Sequence, residues 1–203
     1  MEEQKSVPAT GASADGARPV PGAETSASAR PATAPAPPVR PELAVRVVAV
    51  RTLDAEVEAA VRRLFPQLSS APPPSTEDLE ALLAAPGTTL LVAELGPPPM
   101  PGATAAGAAD SGRSGGRIVG MLTLATFRVP SGVRAWIEDV VVDEEARGRG
   151  VGEALTREAL VRAAAAGART VELTSRPSRE AANRLYRRIG FEVRNTNVYR
   201  IGT

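Results

Sequence analysis

Three glycines in five residues, Gly148, Gly150 and Gly152, separate a valine-rich run ending at Val142 from an alanine-rich stretch beginning at Val151. Without a Cβ, the backbone there can turn sharply and bring its N–H groups close to a ligand. A helix starting at Val151 would add the unpaired N–H groups of its first turn and the positive end of its dipole. Arg147 and Arg149 would add charge. Those parts suit a phosphate or pyrophosphate. They equally suit a plain strand-to-helix turn with solvated arginines, and the glycines alone do not choose. Two familiar phosphate motifs are excluded. The Walker pattern ends in Gly-Lys-Ser/Thr, and the only lysine in the chain is Lys5. The dinucleotide fingerprint needs Gly-x-Gly-x-x-Gly in a first strand–helix unit, whereas these glycines alternate evenly and follow several earlier elements.

The 203 residues include no cysteine and no histidine. Disulfides, thiolate nucleophiles, Ser-His-Asp triads and the usual zinc centres are therefore ruled out, and no metal is expected. Acid–base chemistry falls to carboxylates, tyrosine, lysine, the backbone or water. Lys and Arg total 24 against 23 for Asp and Glu, a formal charge of +1, so neither a nucleic acid nor a membrane surface is expected as partner. No apolar run is long enough to span a bilayer. The start Met1-Glu2-Glu3 lacks the basic and apolar regions of a signal peptide, so the expected location is cytoplasmic.

The elements that must position this chemistry begin late. Residues 1–41 are Ala, Pro, Gly, Ser and Thr with almost no branched aliphatic side chains, and a disordered tail is expected there. A second such stretch, 96–116, reads as a flexible loop insertion within a domain spanning 42–203. Removing both leaves roughly 140 residues, a common domain size. Strands are expected at Leu43–Val50, Thr88–Glu94, Arg117–Val129, Val133–Val142 and Thr170–Thr174, with one bent strand or a strand pair over Phe191–Ile201. Helices are expected after the caps Asp54 and Ser75, over Val151–Ala166, and over Ser178–Ile189 with Ser178 as N-cap. The order is mixed α/β, with a helical crossover between the strands at Val133–Val142 and Thr170–Thr174.

Three blocks within that order resemble one family. Arg147-Gly-Arg-Gly-Val-Gly152 is similar to the [Gln/Arg]-x-x-Gly-x-[Gly/Ala] signature of the GNAT superfamily of acyl-CoA-dependent N-acetyltransferases. Ile137-Glu-Asp-Val-Val-Val142 extends the likeness upstream. Downstream, Ala181-Ala-Asn-Arg-Leu-Tyr-Arg-Arg-Ile-Gly-Phe191 resembles the block Asn-x-x-[Leu/Phe]-Tyr-x-x-x-Gly-Phe, matching it from Leu185 to Phe191 with Asn183 one residue nearer the tyrosine. The resemblance covers roughly Val133 to Phe191. It implies a mostly antiparallel sheet with a splayed central strand pair, flanked by about four helices.

It also implies roles. Backbone N–H groups of Arg147, Gly148, Arg149, Gly150, Val151 and Gly152 would hold the pyrophosphate of acetyl-CoA, the co-substrate. Its pantetheine arm would pair with the edge of Val140, Val141 and Val142, and the N–H of Val141 would polarise the thioester carbonyl. Asn183 would bond the same arm. Tyr186 would protonate the departing thiolate. Alternation along a strand lets only one of Glu138 and Asp139 face the cleft; Glu138 is preferred as base because it resembles the carboxylate position of the sugar-phosphate acetyltransferases, with Asp139 or a water chain as the alternatives. Either carboxylate could instead pair with Arg176, Arg179 or Arg184. The acceptor would be a small-molecule or peptide amine, framed by the helices over 54–85 and the turn at 130–134, with Arg62, Arg63 and Arg134 within reach of an anionic group. A homodimer is left open. The competing reading is a non-catalytic acyl-CoA-binding module that recruits a partner through its tail.

Overall fold

The computed structural model describes residues 43–97 and 115–202. The expected disordered tail therefore lies outside the described residues, as does the loop insertion apart from its ends. The chain enters through β1 (Ala44–Ala49) and turns into α1 (Ala55–Leu64). Asp54 starts the helix, its carboxylate accepting the N–H groups of Glu56 and Val57 at 3.0 and 2.8 Å. Val57, Ala60, Val61 and Leu64 then fall on one buried stripe. Pro66 allows only a 3-10 turn, Phe65–Gln67, beyond the helix. The Ser75–Asp78 capping box begins α2 (Thr76–Ala84).

β2 (Thr88–Gly96), β3 (Arg117–Val129) and β4 (Gly132–Val142) follow as an antiparallel meander. α3 (Val151–Ala165) then crosses over to β5 (Ala168–Leu173), and α4 (Glu180–Ile189) packs on α3. The sheet order is β1-β2-β3-β4-β5, with only β4 and β5 parallel. β2 and β3 are buried on both faces, which is why their sequences read as continuous apolar runs. Leu90, Val92 and Met121 meet α1 and α2 on one face; Leu91, Leu122 and Ile137 meet α3 on the other.

Gly87 sets the approach to β2. It has φ +81, and a Cβ built on it would stand 2.3 Å from the carbonyl oxygen of Thr126. Its own carbonyl accepts the backbone N–H and side-chain hydroxyl of Thr126 at 2.7 and 2.9 Å. Gly87→Ala is expected to cost about 1–3 kcal/mol through backbone strain plus displacement of β3, read as a fall in the denaturant midpoint. An unchanged midpoint would mean that the turn relaxes freely.

Two expectations fail. Phe191–Ile201 forms no strand: none of it pairs, and Val193, Val198, Tyr199 and Ile201 are 75–88% exposed. A β-rich pattern reports fitness for a half-buried sheet surface, and it needs a neighbouring edge to become a strand. The second failure is the cap of α4. The Arg179 N–H donates to Arg176 O at 3.0 Å, closing a turn that holds Ser178, so the helix starts after Arg179 with no side-chain cap.

Candidate active site

β4 and β5 diverge. Their pairing runs from Val133–Ala168 to Ile137–Leu173, yet β4 continues through Val142 with no partner on that side among the described residues. The far half of β4 thus presents a free backbone edge within the fold. A β-bulge marks the point of departure, where Asp139 and Val140 together oppose Leu122 of β3. Asp139 takes φ 52, the one non-glycine residue in the left-handed region among the described residues. The bulge shifts side-chain parity: Ala135 and Ile137 face α3 before it, Val140 and Val142 after it. Val141 turns instead to the α1–α2 face.

The bulge also alters two expectations. Glu138 and Asp139 are both exposed, so alternation does not exclude either of them from the cleft. Among the described residues neither joins an ion pair, and Arg184 is held by Glu180 at 3.3 Å. Burial of part of the Asp139 carboxyl pushes its pKa up. The backbone directions along β4 follow from its last bond. The Asp143 N–H donates to Val119 O of β3 at 2.8 Å, so with period two the Val141 N–H also turns to β3. Val140 and Val142 present their N–H and C=O groups to the free edge. Val141 is thereby corrected as the carbonyl-polarising donor.

Beyond β4 the glycines serve two different ends. Gly148 and Gly150 have φ +76 and +78, and a Cβ on either would meet nothing within 4 Å. Their backbone therefore lies open to an approaching ligand. Gly150 ends the turn as the N-cap of α3 with no side-chain bond, which leaves the N–H groups of Val151 and Gly152 without a cap. Gly152 is a packing residue: its Cβ would stand 3.3 Å from Leu185 and 3.6 Å from Val142. An open, uncapped, left-handed turn fits the pyrophosphate of acetyl-CoA. Arg147 leans back on Glu144 at 3.3 Å and stays largely exposed.

A carboxylate missed from the sequence anchors this turn from behind. Asp143 is buried, its side chain 6% exposed, and Arg63 of α1 and Arg117 of β3 both donate to its Oδ2. Its Oδ1 accepts the Glu145 N–H at 3.3 Å. Arg63 also donates to Ile118 O at 2.6 Å, and Gln67 accepts the Glu144 N–H at 3.0 Å. Arg63 is thus a structural contact and not a free cation for an acceptor; Arg62 is tied to Glu58 at 2.6 Å. Burial alone would raise the Asp143 pKa. The Glu145 N–H and the Arg63 and Arg117 charges outweigh it and hold the carboxyl below its usual range.

α4 turns Tyr186 inward to 9% exposure, edge-on to Phe191 with ring centres 5.8 Å apart. Burial pushes the phenol pKa up, and the nearby Arg179 charge offsets only part of that. Asn183 donates from Nδ2 to Arg176 O at 2.9 Å, so it shapes the loop after β5. In that loop the buried Ser175 Oγ has no hydrogen-bond partner among the described residues. A lone serine carries no signal in the sequence. The turn at 130–134 lies at the start of β4, the end opposite the glycine turn, where Ser131 O accepts from Arg169 at 3.0 Å.

Comparison with known proteins agrees with this architecture. The family model for the acetyltransferase (GNAT) family matches residues 72–191. The fold superposes on an acetyltransferase of Trypanosoma brucei with a TM-score of 0.57 and 24% identity, covering 80% of this chain and 100% of that one. Glucosamine-6-phosphate N-acetyltransferase of Arabidopsis thaliana gives a TM-score of 0.57 at 16% identity, over 79% and 98% of the two chains. AAC(6')-Iy, solved with the bisubstrate analogue CoA-S-monomethyl-acetylneamine, gives 0.56 at 18% identity, over 80% and 99%. No curated protein matches the chain in sequence. With the diverging β4–β5 pair, the bulge and the open glycine turn in the order that the family requires, the chain belongs to the GNAT family of acetyltransferases.

Proposed function

We propose that the protein moves an acetyl group from acetyl-CoA to a primary amine of a small molecule or peptide, by direct attack of the amine on the thioester. The observation that carries this reading is the free β4 edge ending in an open, uncapped helix start. The neighbour solved with a CoA-derived bisubstrate analogue supports the same donor. The backbone of 147–152 holds the pyrophosphate, and the edge of Val140 and Val142 pairs with the pantetheine arm, Val141 packing beneath it. The Val140 N–H, beside the bulge, donates to the thioester oxygen as charge develops there. Tyr186 gives its proton to the thiolate. Asn183 holds the loop after β5, and Ser175 Oγ supplies a free polar contact in it.

Glu138 is proposed as the base. Asp139 is the second reading, favoured by its raised pKa and strained backbone. A greater loss of kcat in Asp139→Asn than in Glu138→Gln would select it. The test of the whole reading is thiol release from acetyl-CoA across a panel of small-molecule and peptide amines. Release that no amine accelerates would overturn it. Gly150→Ala probes the donor site separately. Its Cβ meets no protein atom, so the expected stability cost is about 1–2 kcal/mol from the left-handed backbone. The KM for acetyl-CoA should rise several-fold, and an unchanged KM would place the pyrophosphate elsewhere.

A further inference from the structure

One arginine stands at the parted end of β4 and β5 with no acid to hold it. The loop after β5 is fixed twice at the Arg176 carbonyl, by the Arg179 N–H at 3.0 Å and Asn183 Nδ2 at 2.9 Å. The Arg179 carbonyl in turn accepts the Asn183 N–H at 3.0 Å, so its backbone is locked at the start of α4. Its side chain reaches away from α4 and donates to Leu68 O at 3.2 Å, a partner 111 residues distant in the chain. Leu68 packs with the α1–α2 side of the core. It directly follows the Phe65–Gln67 turn, whose Gln67 accepts the Glu144 N–H just beyond β4. Arg179 therefore links the segment after β5 to one that rests on the segment after β4, across the end where the two strands have separated. Tyr186 registers the charge: Arg179 pulls its pKa down against the larger upward push of burial.

We propose that Arg179 selects the acceptor, pairing with a carboxylate or phosphate group carried by the amine. The inference rests on the acetyl-transfer reading and narrows its substrate class to anionic amines. Acetyl-CoA held at the start of α3 occupies the α3 side of the sheet, which leaves the α1–α2 side, where Leu68 lies, to the acceptor. A guanidinium offers five N–H donors, and among the described residues no carboxylate takes any of those of Arg179. Its neighbour Arg184 is bound to Glu180 instead. The arginines that the sequence suggested for this role are spent or remote: Arg62 is held by Glu58, Arg63 by Asp143, and Arg134 lies at the far end of β4. A planar fork meets either anion with two parallel bonds, and Leu68 O holds it in place before the substrate arrives.

The test compares matched amines in one enzyme preparation, read as thiol release from acetyl-CoA. Amino acids are set against their carboxamides, and aminoalkyl phosphates against the matching amino alcohols. The native protein should favour the charged member of at least one pair by about tenfold or more in kcat/KM, and the pair that shows it names the anion. Arg179→Gln should bring that ratio close to one by raising the KM of the charged member, with the KM for acetyl-CoA unchanged. Arg179→Lys, which keeps the charge and loses the fork, should retain part of it. A ratio does not depend on the folded fraction, and a charge lost beside Tyr186 falls on both members alike. A bond to Leu68 O that served the fold alone would therefore lower both rates and leave the ratio standing. Release that favours the charged member of neither pair would overturn the proposal, as would a preference that survives Arg179→Gln. Either result leaves acetyl transfer intact, whereas release that no amine accelerates removes that reading and this one with it.

Discussion

Replacing Tyr186 with phenylalanine is expected to lower kcat by about a hundredfold or more while leaving the KM for acetyl-CoA close to its native value. The substitution removes one oxygen and keeps the ring. At 9% exposure, edge-on to Phe191, the ring is held by packing that phenylalanine preserves, so the thermal midpoint should barely move. The departing thiolate loses its proton donor, an interaction present only as the thioester breaks, and kcat takes the whole loss. The pH profile gives an independent check. Burial holds the folded phenol above its ordinary pKa of about 10, so Tyr186 stays protonated throughout the neutral range. The alkaline loss of rate that it causes therefore lies above pH ~10, and any limb nearer neutrality belongs to another group. The stability sign agrees. A raised folded pKa gives a contribution fully present below the unfolded value, and lost as pH rises through the folded one. Unchanged kcat in Tyr186→Phe would remove it as the acid.

Local chemistry made much of this legible in the sequence. The Asp54 and Ser75 caps, the glycine turn and the apolar runs of β2 and β3 each act over a few residues, and each stands where spacing placed it. What spacing missed is non-local. The bulge at Asp139 arises because β3 supplies one residue against two, and nothing in the dipeptide Glu138-Asp139 announces it. The Arg63–Asp143 bond joins residues 80 apart in the chain, and each alone reads as a solvated charge. The segment after Phe191 shows the converse: a sound local pattern for a strand that pairs with no neighbour among the described residues.

Asp143→Ala tests the largest of those non-local features. The native carboxylate joins α1, β3 and the turn that leads to α3, so its removal should both destabilise the fold and weaken acetyl-CoA binding. Taking one partner from a buried ion pair costs about 3–5 kcal/mol. Here the Arg63 and Arg117 side chains are 38% and 56% exposed, so water recovers part of their solvation and the expected loss is about 3 kcal/mol. The KM for acetyl-CoA should rise by more than kcat falls, because the turn at 148–150 is displaced while Tyr186 is not. Asp143→Asn should recover much of the stability through shape while removing the charge that Arg63 pairs with; Arg117 keeps Glu145 at 2.8 Å. The pH dependence carries a definite sign. The folded pKa lies below the unfolded value of about 3.9, so the contribution is present above that value and is lost as pH falls through the folded one. Native protein should therefore lose stability steeply on acidification below about pH 4, and Asp143→Ala should lose visibly less over the same range. Parallel acid-unfolding curves for the two proteins would show that the carboxylate does not anchor the turn.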